Sequence, residues 1–259
     1  MSAASDFTAQ VSRNIEALGS DSDVLALSRR WSEETNRHGY TYNFSWMGRP
    51  IIQYPQDMAA MQELIWKVRP DLIIETGIAH GGSLIYSASL LALLDMADAI
   101  EKGETIDPSK SQRRVLGVDI DIRAHNREAI EAHPMASRIS MIQGSSTDAS
   151  TIEQVHAFAA PYKRILVCLD SNHTHDHVLS ELEAYASLTS VGSYCVVFDT
   201  LVEDLPAEMF GDRPWGPGDN PKTAVHAYLK DHPEFEIDSA VHNKLLITVA
   251  PDGYLRRVA

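Results

Sequence analysis

The amino-acid sequence predicts an α/β fold: a seven-stranded, mostly parallel sheet with helices on both faces. Two observations carry this. Short apolar runs of strand length recur at 72–74, 115–118, 139–142, 165–169 and 194–198, and stretches with helical spacing of apolar residues alternate with them. Apart from Ser140 the runs are apolar instead of alternating with polar residues, which is how strands buried on both faces read.

Taken in order, residues 6–18 and 23–37 read as two amphipathic helices, with Phe7, Val11, Ile15 and Leu18 on one face of the first. Tyr40, Tyr42, Phe44 and Trp46 follow, four aromatics within seven residues in a loop-like setting. They either pack the N-terminal segment onto the rest of the chain or form a lid over a site. Residues 55–68 read as a helix leading into the strand at 72–74, which ends in Glu75. A long apolar helix is expected at 84–99 and an exposed connection at 101–113. Then come a strand at 115–119, a helix at 126–133, a strand at 139–143, a helix at 148–159 with Asp148 near its N-cap, and a strand at 165–170. A helix at 177–188, a strand at 194–199, a Gly-, Pro- and acid-rich loop at 201–221 and a helix at 222–230 come next. Two strands, 235–238 and 245–249, with no helix expected between them, close the sheet as an antiparallel pair. We expect an N-terminal helical or lid segment over 1–55 and one sheet domain over 56–259.

Composition bounds the function. The chain has 259 residues, 44% hydrophobic and 22% charged, as in ordinary globular proteins. Its net charge of −14 argues against nucleic acid or an anionic membrane as partner. Cys168 and Cys195 sit inside apolar runs and read as buried thiols of a reducing compartment. The N-terminus is polar and acidic, unlike a secretory signal. No unbroken apolar run reaches the ~18 residues of a membrane span. A cytoplasmic location is the expectation.

The chemistry clusters where strands end. Leu72-Ile73-Ile74-Glu75-Thr76-Gly77-Ile78-Ala79-His80-Gly81-Gly82-Ser83 is a strand, a glycine turn and a helix start. Glycines let a ligand approach the backbone, and free N–H groups at a helix start bind polar groups. There is no Gly-Lys-Ser/Thr, so this is not a P-loop, and it lacks the full dinucleotide fingerprint. Glu75, Thr76, Gly77, Ala79 and Ser83 are the candidate cofactor residues here; His80 faces either the ligand or the packing. Asp119, ending the second strand, is placed to accept from both hydroxyls of a ribose. Asp121 competes, but Asp119 directly follows the apolar run. Gly144, Ser145 and Ser146 can wrap a purine edge. In Asp170-Ser171-Asn172-His173-Thr174-His175-Asp176-His177, Asp170 with Asp199 makes a hard-cation pair. His173, three residues past Asp170, is the candidate general base, since imidazole titrates near neutrality. His175 and His177 read as the partly exposed start of a helix.

A fold of seven strands closed by an antiparallel pair is the class I S-adenosylmethionine (SAM) methyltransferase pattern. The residues Ile73-Ile74-Glu75-Thr76-Gly77, Gly81-Gly82-Ser83, Val118-Asp119-Ile120-Asp121, Gly144-Ser145-Ser146, Leu169-Asp170-Ser171-Asn172-His173 and Phe198-Asp199 resemble the cephalosporin hydroxylase family. That family also looks like one of Mg²⁺- and SAM-dependent sugar O-methyltransferases, including rhamnosyl and macrolide-sugar enzymes. The resemblance covers roughly residue 40 onward. It implies SAM and Mg²⁺ as cofactors, Asp170 and Asp199 on the metal, Asp170 also beside the cofactor, and His173 as base. It further implies a sugar or glycoside hydroxyl as acceptor and a homo-oligomer. Tyr42, Trp46, His173 and Thr200 are the candidate acceptor contacts. The segments 40–46 and 201–221 are expected to close over the acceptor. In the sugar enzymes the fifth strand tends to end in Glu-Asp; here it ends in Phe198-Asp199, so one carboxylate is missing or replaced by Thr200, Glu203 or Asp204. The rival readings are a metal-dependent hydroxylase or oxygenase using the Asp/His run, and a non-catalytic SAM-binding module.

Overall fold

The computed structural model describes residues 3–259. Helices α1 (Ala3–Ser20) and α2 (Ser22–Asn36) open the chain. Asp21 caps α2 by accepting from the N–H groups of Asp23 and Val24 at 3.0 and 3.1 Å. The aromatic stretch expected as loop is a 3-10 turn, Tyr40–Asn43, that runs into a two-stranded ribbon, β1 (Phe44–Trp46) against β2 (Arg49–Ile51). Met47 and Gly48 at its tip both have positive φ, the turn whose twist suits a tight hairpin. Then α3 (Pro55–Val68) leads into β3 (Leu72–Thr76), α4 (Gly82–Lys102), β4 (Arg114–Asp119), α5 (Ala124–Glu131), β5 (Ile139–Gln143) and α6 (Ala149–Ala159). The rest is β6 (Ile165–Leu169), α7 (His175–Tyr185), β7 (Tyr194–Val197), α8 (Pro221–Tyr228), β8 (Phe235–Ile237), α9 (Ser239–Leu245) and β9 (Tyr254–Arg257).

The large sheet runs β5-β4-β3-β6-β7-β9-β8. Strands β3 to β7 are parallel, and β9 lies antiparallel to both β7 and β8. Alternate strand residues serve opposite faces, as a two-residue period requires. Ile73, Val115, Leu166 and Cys168 join one core with α3 and α4, whereas Leu72, Ile74, Leu116, Val118 and Val167 join the other with α6, α7 and α8. The chain order reverses across β3, so the carboxyl ends of β3, β4 and β6 open a crevice there.

The closing strand is not where the sequence reading put it. Residues 245–249 are not a strand. A helix, α9, stands between the last two strands, and β9 starts at Tyr254. An apolar run alone does not separate a strand from a buried connector. Here the backbone turns at Leu246, φ 60°, and the polar groups that would face a sheet neighbour go to Asp57 instead. The Val249 N–H donates to its carboxylate at 2.9 Å, the Thr248 hydroxyl donates to it as well, and the Tyr254 hydroxyl does so at 2.6 Å. Asp57 is buried, and burial pushes its carboxyl up to about 6.

Helix α4, at 21 residues with a mean hydropathy of 1.5, is long and apolar enough to cross a membrane by length and composition. It lies on the sheet with Leu84, Ile85, Ala88 and Leu91 fully buried, as a core helix. The N-terminal segment is joined to this layer by edge-to-face contacts of Trp31, Tyr40, Phe44 and Tyr54. Ribbon strand β2 crosses so close to the α4 start that a Cβ on Gly82 would lie 2.1 Å from the Pro50 carbonyl oxygen.

Candidate active site

The glycine loop after β3 is shaped by its contacts. Gly77 has φ 86°, and a Cβ there would stand 2.0 Å from the carbonyl oxygen of Asp170. No other residue lets β3 and β6 end so close together. The Asp119 carboxylate, at the end of β4, accepts from the Ile78 and Ala79 N–H groups at 2.8 and 3.3 Å and from that of Asp121 at 2.9 Å. Arg49, from the ribbon, donates to the His80 carbonyl through Nε at 3.0 Å and through Nη2 at 2.5 Å. It also reaches Asn126 Oδ1 at 3.0 Å, and Asn126 donates in turn to the Ala79 carbonyl at 2.8 Å. Helix α4 then begins with no side-chain cap, which leaves its first N–H groups available to a ligand beside Ser83. Under the loop, Glu75 is buried and accepts from the Ser87 hydroxyl; burial raises its carboxyl above the usual range.

Beside this loop stand the ends of β6 and β7. One ligand atom each from Asp170, His173 and Asp199 lie within 4.8 Å of one another. His173 Nδ1 is 3.0 Å from Asp199 Oδ2, and Asp199 sits in left-handed backbone, φ 55°. Burial, then the charges of Asp199, Glu75 and Glu181, push the Asp170 carboxyl well above its ordinary range. Two carboxylates with an imidazole suit a divalent cation, whose charge would offset that repulsion. The donor set therefore fits a metal. The residues offered in place of the missing carboxylate are engaged elsewhere. Thr200 is buried and donates to the Pro251 carbonyl at 2.6 Å, Glu203 accepts from the Gly218 N–H at 2.7 Å and from the Asn220 amide, and Asp204 pairs with Lys222 at 2.8 Å. His173 stands nearest the two carboxylates in their stead.

A cavity of about 510 Å³ joins the two halves. Gly77, Ile78, Ser83, Asp170, His173 and Asp199 line it together with Tyr42, Phe210, Arg213 and Trp215. The Trp215 ring lies 5.0 Å from that of His173, and the Arg213 guanidinium 5.6 Å from Trp215. Of the candidate acceptor contacts, Tyr42 and His173 line the cavity. Trp46 instead packs edge-on to Tyr86 and donates its indole N–H to Ser89 at 2.9 Å. Thr200 lies in the core. Gly144, Ser145 and Ser146 follow β5 outside the cavity wall. There Ser146 is buried 3.1 Å from His177 Nε2, and the Tyr185 hydroxyl donates to its carbonyl. His175 turns to Thr223 at 2.8 Å; His177 faces Ser171 at 3.1 Å and Glu181 at 3.5 Å. Arg213 and Trp215 belong to the 201–221 segment expected to close over the acceptor, whereas Arg49, Gln53 and Asn126 carry no site role in the sequence reading. Phe210 and Trp215, the aromatics of that Gly- and Pro-rich loop, are the local signal for it.

The sequence model of the family described as Rhamnosyl O-methyltransferase/CmcI matches residues 38–258. A rhamnosyl O-methyltransferase of Mycobacterium tuberculosis is 31% identical over 218 residues, 82% of this chain and 78% of that protein. One of Mycobacterium leprae is 28% identical over 216 residues, 82% of each chain. The solved structure described as cmcI-D160 Mg-SAM superposes with a TM-score of 0.54 at 20% identity, over 84% of this chain and 78% of that one, and shares the fold.

Proposed function

The chain belongs to the rhamnosyl O-methyltransferase/CmcI family, and from that premise we propose a SAM-dependent, Mg²⁺-assisted O-methyltransferase that acts on a hydroxyl of a sugar or glycosylated natural product. The observation that carries the reading is the convergence of Asp170, His173 and Asp199 on one cavity wall with the glycine loop and the uncapped start of α4. The relatives' names supply the acceptor class, and open α/β sheets in general take ligands at the carboxyl ends of their strands.

Asp170 and Asp199 are the residues that would hold Mg²⁺, with His173 beside them. The loop over Gly77 and Ala79, with Glu75, Thr76, Ser83 and Asp119, would hold SAM, and Gly144, Ser145 and Ser146 its purine edge. When bound, SAM supplies the methyl group and the cation a charge that eases deprotonation of the acceptor hydroxyl. The chain's own residues position and exclude. Trp215 and Tyr42 offer ring faces to the apolar side of a sugar, and Met209 and Phe210 shield the site from water. With Nδ1 of His173 facing Asp199, the tautomer carrying its proton on Nδ1 is favoured, and Nε2 takes the hydroxyl proton.

The same 3.0 Å contact supports a second role, in which His173 is the third cation ligand. A reducing, cytoplasmic setting suits the two buried free thiols, Cys168 and Cys195. A homo-oligomer would find an apolar face in Leu93, Met96 and Ile100 on α4, all exposed. Calorimetric titration with SAM, with and without Mg²⁺, tests the reading: binding in both conditions supports it. A chain that takes up Mg²⁺ but no SAM would favour the oxygenase reading, and one that takes up neither would leave no methyl donor and end the proposal.

A further inference from the structure

We propose that Gln53 is a positioning residue for the cation site, its side-chain amide holding the Asp170 carboxylate in the orientation that meets a divalent cation. The proposal rests on the reading of Asp170, His173 and Asp199 as that site. Gln53 lies between β2 and α3, in the N-terminal segment and outside the strand–helix repeat that builds the glycine loop and the acidic strand ends. It is nevertheless only 7% exposed, and its Nε2 donates to Oδ2 of Asp170 at 3.2 Å across 117 positions of sequence.

The chemistry of the donor is informative. A lysine or arginine at this place would form an ion pair with Asp170 and compete with a metal for its charge. An amide orients the carboxylate and leaves that charge in place, as the outer partners of metal ligands do. The charges that bear most on Asp170 are those of the carboxylates of Asp199, Glu75 and Glu181. The far end of the amide points the same way. Its Oε1 is buried without a hydrogen-bond partner, and buried polar atoms left bare are few in folded proteins. A side chain present only for packing would not carry that atom inside. The bare oxygen belongs to a residue that also lines a second, smaller cavity of about 30 Å³, shared with Glu75, Ser83 and Asp170 and large enough for a water.

The experiment uses the full chain with S-adenosylhomocysteine present, titrated calorimetrically with MgCl₂ and separately with MnCl₂. Gln53→Leu is expected to bind either cation roughly 10–100-fold more weakly than wild type, the usual effect of removing an outer partner of a metal ligand. Its melting temperature in EDTA should match wild type, and raising Mg²⁺ should restore its turnover. Cation affinity equal to wild type overturns the proposal, as does a loss of turnover that excess Mg²⁺ does not repair. Gln53→Met, unbranched and of similar length, is read by the same criteria should Gln53→Leu fail to fold. A wild-type chain that binds neither cation refutes the cation-site reading itself, an outcome distinct from a wild type that binds and a variant that binds equally well.

Discussion

Replacing Asp57 with Asn tests how the C-terminal strand is anchored. Asp57 is 1% exposed and accepts from Thr248, Val249 and Tyr254, which ties the start of α3 to the segment that enters β9. Burial raises its carboxyl from 3.8 to about 6, against the opposing pull of those three hydrogen bonds. The folded chain therefore holds this proton more tightly than the unfolded chain. Between pH 4 and 6 the folded state binds more protons, so this group's contribution is fully favourable below the unfolded pKa and is lost as pH rises through the folded one. A shift of about two units at 1.36 kcal/mol each amounts to about 3 kcal/mol. Asp57→Asn keeps the shape and one acceptor oxygen, sets an amide NH2 against the remaining donor at a cost that does not vary with pH, and removes the titration. The assay is denaturant unfolding of wild type and variant from pH 4 to 7.5 in EDTA, taking the difference at each pH so that other titrating groups cancel. The stability of the variant relative to wild type is expected to rise by roughly 2–3 kcal/mol across that range, most of the full shift. A flat difference would refute the raised carboxyl, and a difference that falls with pH would refute its direction.

Two further outcomes follow from the site. Asp119→Ala removes the acceptor for three backbone N–H groups, two of them in the glycine loop. SAM affinity measured by calorimetry should fall by roughly 1.5–3 kcal/mol, the range for a hydrogen bond to a charged group, with the fold retained; unchanged affinity would remove Asp119 from the cofactor site. His173→Ala should lower the methylation rate by about 10²–10⁴ with cation affinity little changed if the imidazole is the base. A matching loss of Mg²⁺ affinity, repaired by excess metal, would instead make it the third ligand.

What was legible in the sequence was what local pattern encodes. Five mainly apolar runs announced the parallel strands, and Gly77 and Gly81 announced a loop that the chain cannot build with side chains. The acids at strand ends, Asp119, Asp170 and Asp199, followed from the same periodicity. What was hidden depends on partners far along the chain. Trp46 and Thr200 occupied positions suited to a site, but Ser89 and Pro251, invisible from their own surroundings, draw them into packing. Residues 245–249 were apolar enough for a strand until Asp57 claimed their polar groups. Arg49 and Asn126 shape the glycine loop through contacts 31 to 77 positions apart. Such pairings leave no spacing to read.

The central claim is methyl transfer assisted by a divalent cation held by Asp170 and Asp199. Its most direct measurement is mass-spectrometric detection of product after incubating the chain with SAM and a rhamnosyl glycoside, in Mg²⁺ and in EDTA. One added methyl group on a sugar hydroxyl is expected in Mg²⁺, none in EDTA, and recovery when Mg²⁺ is returned. Full turnover in chelator would contradict it.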